Sequence, residues 1–348
     1  MANPINNRVF YACQAVAITK MGHSPNDAGI GTHVAVMKGV QSVGITTNFT
    51  LDQAFELGQV EIYQNSEEVA DLEVTLEKVI DGEKLLYLAA VGEIGKSDVT
   101  GAADARCDVY LAIFDDGVDA VANTRPRNVV YCSGMYISSV SYNWSADGNA
   151  TESVSLVGND KFIDSSAAAL GTVTPSGLWG APNTGISGSD TPLSGLVRRT
   201  DIDLTTSDLP AGAKSQGGVS GQGDQKTGYH INSISVSADF GRDQILELGR
   251  FGPYYRYATF PFEITSEFEV TASNSDEVAI SGTDRNLSDE TIKIKDNAGT
   301  VVDLGTKNKL SSVSYSGGDT GGGNATITYS YSTFNVFTVQ GGDTAYWS

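Results

Sequence analysis

The chain carries one sequence pattern twice. Gln41–Val60 aligns without a gap to Asn232–Phe251, at a constant spacing of 191 residues, and seven of the twenty positions are identical. Several of the remaining positions keep their physical character, as where Val43 corresponds to Ile234. A repeat of this length indicates an internal duplication, which limits the fold to two similar halves. The identical pairs are Ser42/Ser233, Phe49/Phe240, Asp52/Asp243, Gln53/Gln244, Glu56/Glu247, Leu57/Leu248 and Gly58/Gly249.

The similarity continues beyond this window at changing spacings. The segment LEVTLE at Leu72–Glu77 corresponds to FEITSE at Phe262–Glu267. Because the spacing between corresponding residues decreases from 191 to 173 and then increases to 175, insertions and deletions are expected between strands, where a β-framework tolerates them. Three further matches carry this alignment to the end: CDVYLAIFDD (107–116) with SDETIKIKDN (288–297), SSVSY (138–142) with SSVSY (311–315), and GNAT (148–151) with GNAT (323–326).

Composition divides the chain into three regions. The first copy is expected over residues 1–160 and the second over 230–348. Between them, 161–229 is rich in Gly, Ser and Pro and holds four of the nine prolines, a composition that buries little core. Residues 196–204 alternate well enough to form a strand in this connector. Long irregular stretches inside compact proteins usually serve a function or are ordered by a partner.

Each copy reads as mainly β-structure. Val43, Ile45 and Thr47 alternate with polar neighbours, the period of a half-buried strand. Residues 129–144 and 150–157 form a hairpin around the turn at 145–149. The best helix candidate is 81–91, DGEKLLYLAAV, which has an acidic start and strong helix formers. The alternative for its apolar part is a further strand.

The charge balance argues against tight nucleic-acid binding. Lys and Arg number 22 against 42 Asp and Glu, for a formal net charge of −20, whereas binding to phosphates needs clustered cations. The acidity predicts repulsion from DNA, or serves solubility alone. The three histidines form no ligand cluster, and Cys13, Cys107 and Cys132 are expected to be reduced and buried. We therefore expect no metal and no cofactor, and no apolar run reaches the length of a membrane span.

One segment resembles an enzyme motif. Residues 90–97, AVGEIGKS, fit a relaxed phosphate-binding loop in which Ala replaces the first Gly. Such a loop precedes a helix, but 98–106 shows no helical periodicity and the second copy keeps nothing of the motif. No G-x-S-x-G segment is present. We therefore expect that the protein is not an enzyme.

The second copy contains a cluster of aromatic and basic residues at positions 250–257. With a charge of −20, a protein–protein contact explains this cluster better than single-stranded nucleic acid does, because interfaces favour Tyr and Arg. The cluster has no evident counterpart in the first copy, so we expect it to mark what the two copies do differently. The shared residues Phe240, Asp243, Leu248 and Gly249 are expected to serve the fold. The candidate inter-subunit or inter-ring residues are Arg250, Tyr254, Tyr255 and Arg256.

Three segments carry a resemblance to a known family. The second copy's LELGRFGPYYRYATFPFEITSEFEV (246–270) resembles the tail tube proteins of long-tailed bacteriophages. The first copy's FELGQVEIYQNSEEVADLEVTLEKV (55–79) is a fainter match. The hairpin SSVSYNWSADGNATESVSLVG (138–158) is similar to the strand pair near the end of such domains.

This resemblance implies two tandem β-sandwich or β-barrel domains, with a short flanking helix at least in the first copy. Subunits of the family form rings whose inner sheets join into one barrel, and the rings stack into a tube that conducts DNA. A duplicated chain is then expected to form a homotrimeric, pseudo-hexameric ring, as in some siphophages. The second copy is shorter in its middle, which puts its helix in doubt.

The resemblance also implies partners and a location. The chain is expected in the virion, after synthesis in the host cytoplasm, in contact with the tape measure, terminator and distal tail proteins. DNA passes without specific binding, and no membrane is involved. A non-contractile tail is favoured over a contractile one. The alternative function is a tandem β-sandwich adhesin or carbohydrate-binding protein that uses exposed Trp144 and Trp179.

Overall fold

The computed structural model describes most of both copies and little of the connector. The described residues are 8–21, 34–91, 101, 103–116, 120, 126–164, 195–206, 209–210, 231–272, 278, 280, 287–318, 320 and 323–341. Within them the chain is mainly antiparallel β-structure with one short α-helix. The predicted fold class is therefore confirmed. The predicted boundaries of the copies stay a prediction.

The described part of the first copy contains ten strands, a 3-10 turn at Tyr11–Cys13 and the helix α1 at Leu86–Val91. Its strands are β1 (Gln14–Lys20), β2 (Val34–Val36), β3 (Val40–Asn48), β4 (Leu51–Phe55), β5 (Ile62–Glu67), β6 (Asp71–Val79), β7 (Arg106–Ile113), β8 (Asn128–Ser145), β9 (Thr151–Gly158) and β10 (Asp160–Asp164).

The remaining strands belong to the second copy and the end of the connector. They are β11 (Ile202–Thr206), β12 (Ile231–Asp239), β13 (Arg242–Ile245), β14 (Tyr255–Ala258), β15 (Glu263–Thr271), β16 (Ile292–Asp296), β17 (Val301–Asp303), β18 (Lys309–Ser316), β19 (Thr326–Phe334) and β20 (Thr338–Gln340).

The two copies build the same four-stranded sheet. Its order is β3-β6-β9-β8 in the first copy and β12-β15-β19-β18 in the second. Val140 pairs with Val154, and their counterparts Val313 and Tyr329 pair in the same way. The spacings of 173 and 175 residues predicted for these strands are thus confirmed. Irregularities at 137–139 and at 310–312 also coincide, so both copies carry the same bulge.

One predicted correspondence is wrong by two residues. Ile45 pairs with Val74, and its counterpart Val236 pairs with Ser266 rather than with Ile264. The second copy has one more residue in the connection between these strands, which contains the cis peptide bond Phe260–Pro261. Because side chains alternate with a period of two, the shift leaves the same face of the strand buried. The sequence alignment therefore identified the buried face but not the register.

The two sheets join into one. Strand β12 pairs antiparallel with the second half of β8, so eight strands run in the order β3-β6-β9-β8-β12-β15-β19-β18. The first half of β8 pairs instead with β7 and β10. Gly134 lies between these halves with a φ of 63°, a backbone conformation that glycine adopts without steric cost. Through this change of partners, β8 connects the eight strands to β7, β1, β2 and β10.

A large hydrophobic core shared by both copies lies against one face of this sheet. Leu72, Val74 and Leu76 alternate with exposed residues along β6 and are buried in it. The ring of Tyr87, on α1, lies 6.5 Å from Phe240 and 5.8 Å from Phe337, both in the second copy. The helix of one copy therefore packs against the aromatic side chains of the other.

The helix is shorter than predicted. It begins at Leu86 rather than at 81, because Asp81 is held in the preceding turn. The Asp81 carboxylate accepts hydrogen bonds from the Glu83 amide at 3.1 Å and from the buried Lys78 ammonium at 2.7 Å. A buried carboxylate and ammonium need each other, since either one alone in the core costs several kcal/mol. The strand alternative for this segment is wrong.

A smaller sheet, β11-β16-β17-β20, completes the second copy. The strand predicted at 196–204 is confirmed only from Ile202 onward and extends to Thr206. It pairs with β16 as β1 pairs with β7, so it is the first strand of the second copy.

All three cysteines are buried and unpaired, as predicted, and burial raises the pKa of Cys132 to about 11. Among the described helices, none has the length and hydropathy of a membrane span.

Candidate functional site

The face of the eight-stranded sheet opposite the core is polar. Along each strand the side chains that do not point into the core alternate with those that do. Hydroxyl groups dominate this polar face, and they follow one another across neighbouring strands at Ser153, Ser141, Ser237, Thr265 and Ser332. Further hydroxyls on the polar face belong to Ser42, Thr46, Thr75, Ser139, Ser155, Ser233, Ser235, Thr328, Ser330, Ser312 and Ser314.

Carboxylates stand among these hydroxyls. Glu77 accepts a hydrogen bond from Ser42 at 3.4 Å, and Glu267 accepts one from Ser330 at the same distance. Each of these hydroxyls lies directly across a strand pair from its carboxylate. The acidic residues of the polar face are Asp71, Glu73, Glu77, Asp239, Glu263, Glu267 and Glu269.

Basic side chains are almost absent from the eight strands. These eight strands contain no arginine, and their two lysines are Lys78 and Lys309. Lys78 is buried on the core face, and Lys309 lies at the first residue of β18, 3.1 Å from Asp289. Lys309, opposite Ser332, is therefore the one basic strand residue on the polar face. The rest of the face offers oxygen atoms and negative charge rather than the clustered cations that bind phosphates.

The sheet ends in two open edges, β3 and β18. Among the described strands, β3 pairs only with β6, and β18 pairs only with β19. These strands are the counterparts of β12 and β8, the two strands that join the copies. Exposed strand edges are templates for pairing with another chain, and soluble proteins usually protect them. The two open edges of the sheet therefore belong to the strands that correspond to β12 and β8. Within the chain, β12 and β8 pair with each other and connect the two copies.

Two matching hairpins project from the sheets. In β4–β5 Gln53 pairs with Asn65, and in β13–β14 their counterparts Gln244 and Arg256 pair in the same register. At the tips Leu57 and Leu248 are fully exposed.

Gly58 and Gly249 follow the two exposed leucines, with φ of 97° and 85°, so the tip requires glycine. The shared motif is therefore a surface feature. Of the shared residues expected to serve the fold, Phe240 is buried in the core, whereas Leu248 is fully exposed and contributes nothing to it.

The four candidate contact residues divide into two groups. Arg250 and Tyr254 are exposed, and the guanidinium lies 5.6 Å from the centre of the Tyr254 ring. Tyr255 is half-buried, with its ring 5.9 Å from that of Tyr136. Tyr254 also has an exposed counterpart, Tyr63, so the cluster is less specific to the second copy than the sequence indicated.

The fourth residue, Arg256, is buried and joins the two copies within one chain. Its guanidinium binds the carboxylate of Asp71 and donates to the side-chain oxygen of Asn159 at 3.2 Å. Gln244 donates to the same Asp71 carboxylate at 2.8 Å. The inter-subunit role of Arg250, Tyr254, Tyr255 and Arg256 stays a prediction, and it now concerns chiefly the two exposed residues.

The other sequence candidates are not supported as sites. Trp144 is 2% exposed, so the prediction that it is a surface aromatic is wrong. Trp179 lies outside the described residues. Helix α1 ends at Val91, the second residue of the phosphate-loop-like motif, and 92–97 lie outside the described residues. Within the described part of the chain, no group of three or more His, Cys, Asp or Glu could hold a metal ion.

Comparisons with known proteins give weak structural similarity only. No protein-family model matches the sequence, and no curated protein matches it. Among solved structures, the chain is similar to one in the cryo-EM structure of the anti-feeding prophage baseplate, 6-fold symmetrised, with a TM-score of 0.33 and 13% identity over 47% of this chain and 97% of that chain. It is also similar to a chain of the anti-feeding prophage cap, which terminates the tube, with a TM-score of 0.33 and 13% identity over 48% of this chain and 97% of that chain.

Proposed function

We propose that this protein is the major tail tube subunit of a long-tailed bacteriophage. The observation that carries the proposal is the eight-stranded sheet, which is built from two equivalent halves and has an open edge at each end. A sheet of this kind satisfies its edge groups when several chains close into one barrel. The polar face and the tail-tube-like sequence of 246–270 support the same function.

Ring closure follows from the duplication. The chain meets its neighbour through two different edges, so the contact is head-to-tail, and such contacts generate a ring when the rotation closes. With two equivalent halves in each chain, three chains supply six repeats around the axis. The ring is then trimeric by chain and pseudo-hexameric by sheet. Stacked rings form the tube.

The polar face lines the bore of this tube. Its carboxylates repel the phosphates of DNA, and its hydroxyls hydrogen-bond water, so DNA slides through without being held. At physiological ionic strength the screening length is about 8 Å, so the repulsion acts only close to the wall. The acidity of the chain thereby has a mechanical purpose in addition to solubility.

The exposed residues of the hairpins supply contacts between subunits or rings. Arg250 and Tyr254 are large, accessible and of the types that interfaces favour. The exposed leucines at both tips extend this surface. Other tail proteins meet the tube at its ends and in its bore: a terminator, the distal tail and the tape measure. The protein acts in the virion, in a non-contractile tail.

Electron microscopy of the purified protein tests the proposed function. Incubation at high protein concentration and a range of salt concentrations is expected to yield rings or tubes with a central bore. The same protein is expected in purified virions as the most abundant tail component. A protein that remains monomeric under every assembly condition and is absent from virions would rule the proposal out.

A further inference from the structure

We propose that the joint between chains repeats the joint inside the chain, residue for residue. Strand β3 of one chain pairs antiparallel with β18 of the next, with Thr46 opposite Ser314. The inference rests on the proposed function for the existence of a ring, and it adds the identity and register of the contact. The occupant of each open edge is therefore a second copy of this chain.

The internal joint is the pairing of β12 with β8, and its register gives the register of the contact between chains. Strands β12 and β8 pair over seven residues, with Ser237 opposite Ser141 and Val236 opposite Tyr142. Thr46 is the counterpart of Ser237 at a spacing of 191 residues, and Ser314 is the counterpart of Ser141 at a spacing of 173. The same transfer places Ile45 opposite Tyr315. The joint between chains then runs from Ser42 opposite Gly318 to Asn48 opposite Ser312.

The backbones of the open edges have the shape that this register needs. A bulge at 40–42 in β3 is matched by one at 231–233 in β12. A bulge at 137–139 in β8 is matched by one at 310–312 in β18. Bulges bend a strand and increase its twist, so matching bulges give matching edges. We therefore expect β3 and β18 to have the same twist as β12 and β8, which pair in the internal joint.

Two corresponding phenylalanines, Phe240 and Phe49, differ in whether a neighbouring strand covers them. Phe240 is 2% exposed, and its amide donates at 2.9 Å to the carbonyl oxygen of Ser138, the bulged residue of β8. Its counterpart Phe49 is 70% exposed. The counterpart of Ser138 is Ser311, the bulged residue of β18. We assign the amide of Phe49 to the carbonyl of Ser311 in the next chain, a contact that covers the exposed ring.

The hairpin beside the joint repeats as well. In the internal joint Gln244 donates to the Asp71 carboxylate, which belongs to the other copy. The counterpart of Gln244 is the identical Gln53, and pairing register makes Glu263 the counterpart of Asp71. Both partners of the contact are thus present at the open ends. Gln53 of one chain is assigned to Glu263 of the next.

Two corresponding tyrosines, Tyr142 and Tyr315, also differ in exposure between the internal joint and the open edge. Tyr142 is fully buried beside the internal joint, whereas its counterpart Tyr315 is 57% exposed at the open edge. A tyrosine ring at a strand edge gains most when a neighbouring strand covers it. Pairing with β3 places Ile45 against this ring, as Val236 lies against Tyr142.

Disulfide trapping tests the register. Paired residues in an antiparallel ladder have Cα atoms about 4.5–5.5 Å apart, within the range that a disulfide spans. Thr46 and Ser314 are both exposed, so Thr46→Cys with Ser314→Cys leaves the fold intact. The open edges of one chain are seven strand spacings apart, roughly 34 Å in a flat sheet, so a link joins different chains. The matched control is Ser42→Cys with Ser314→Cys, about 13 Å out of register on the same face.

On mild oxidation of the assembled protein, the Thr46 and Ser314 pair is expected to give covalent dimers and trimers that a reductant dissolves. The Ser42 and Ser314 control and each single variant are expected to stay largely monomeric on a denaturing gel. Rings that form without a link in the first pair, or with an equal link in the control, overturn the register but leave the tube proposal standing. Efficient linking without rings or tubes supports the joint and overturns the tube. No assembly and no link overturn both.

Discussion

Tyr142 and Glu152 face each other across β8 and β9, and the tyrosine hydroxyl donates a 2.8 Å hydrogen bond to the Glu152 carboxylate. The same carboxylate accepts the amides of Leu86 and Tyr87 at 2.6 and 3.0 Å, the first residues of α1. Burial raises the pKa of Glu152, and these three donors partly oppose that rise. In the second copy the corresponding pair is Tyr315 and Ile327. The buried acid thus occurs in the copy that contains α1, whose first amides it accepts.

We expect Glu152→Ala to destabilise the folded chain by about 3 kcal/mol or more, since each buried donor left without a partner costs about 1–3 kcal/mol. Urea unfolding followed by circular dichroism measures the change. Glu77→Ala, at an exposed position of the polar face, is the control and is expected to change the free energy of unfolding by no more than about 0.5 kcal/mol. Equal effects of the two variants would contradict the capping role.

The identical residues Phe240 and Phe49 are expected to respond differently to truncation. Phe240 packs against Phe262 and Tyr87 in the core, so Phe240→Ala should lower monomer stability by about 3–5 kcal/mol. Phe49→Ala should leave monomer stability nearly unchanged and reduce the yield of rings or tubes. Thermal unfolding and electron microscopy measure the two effects. Full assembly of the Phe49→Ala variant would show that its exposed ring meets no neighbour.

The exposed half of the predicted contact cluster can be tested without disturbing the fold. Arg250→Ala with Tyr254→Ala is expected to leave the melting temperature within a few degrees and to impair stacking of rings. Arg8→Ala with Tyr11→Ala, a similar pair of exposed residues elsewhere, is the control. Normal tube length in the first variant would remove these two residues from the contact.

The structural features that depend on repetition and on local residue pattern could be predicted from the sequence. The repeated strands share alternation and turn residues, so the duplication and the spacings of 173 and 175 residues could be predicted from the sequence alone. Local pattern also identified the hairpin of β8 and β9. The helix start was missed because it depends on Glu152, which lies 66 residues away from Leu86.

The burial of individual side chains in the folded chain could not be predicted from repetition and local pattern. Phe49 and Phe240 are identical and have similar neighbours in sequence, yet only one is buried, because burial depends on which strand lies alongside. Arg256 looked like a surface residue because its partner Asp71 is 185 residues away. The register of β15 was missed because a shift of two preserves the alternation from which it was inferred.

The charge of the polar face is expected to govern whether the tube holds DNA. Glu73→Lys, Glu77→Lys and Glu267→Lys together place cations on the exposed wall, so the assembled variant should retain DNA at low salt and release it as salt rises. A gel-shift or co-sedimentation assay with linear duplex measures retention. Asp147→Lys, Asp160→Lys and Asp203→Lys, exposed but off this face, are the control. Equal retention by both variants would mean that the polar face does not line the bore.

A cryo-EM reconstruction of the assembled protein tests the central claim most directly. It should show a tube of stacked rings, three chains to a ring, with the polar face of the eight-stranded sheet toward the bore and β3 of each chain paired with β18 of the next. A ring of six chains, or a bore lined by any other surface of the chain, would contradict the account.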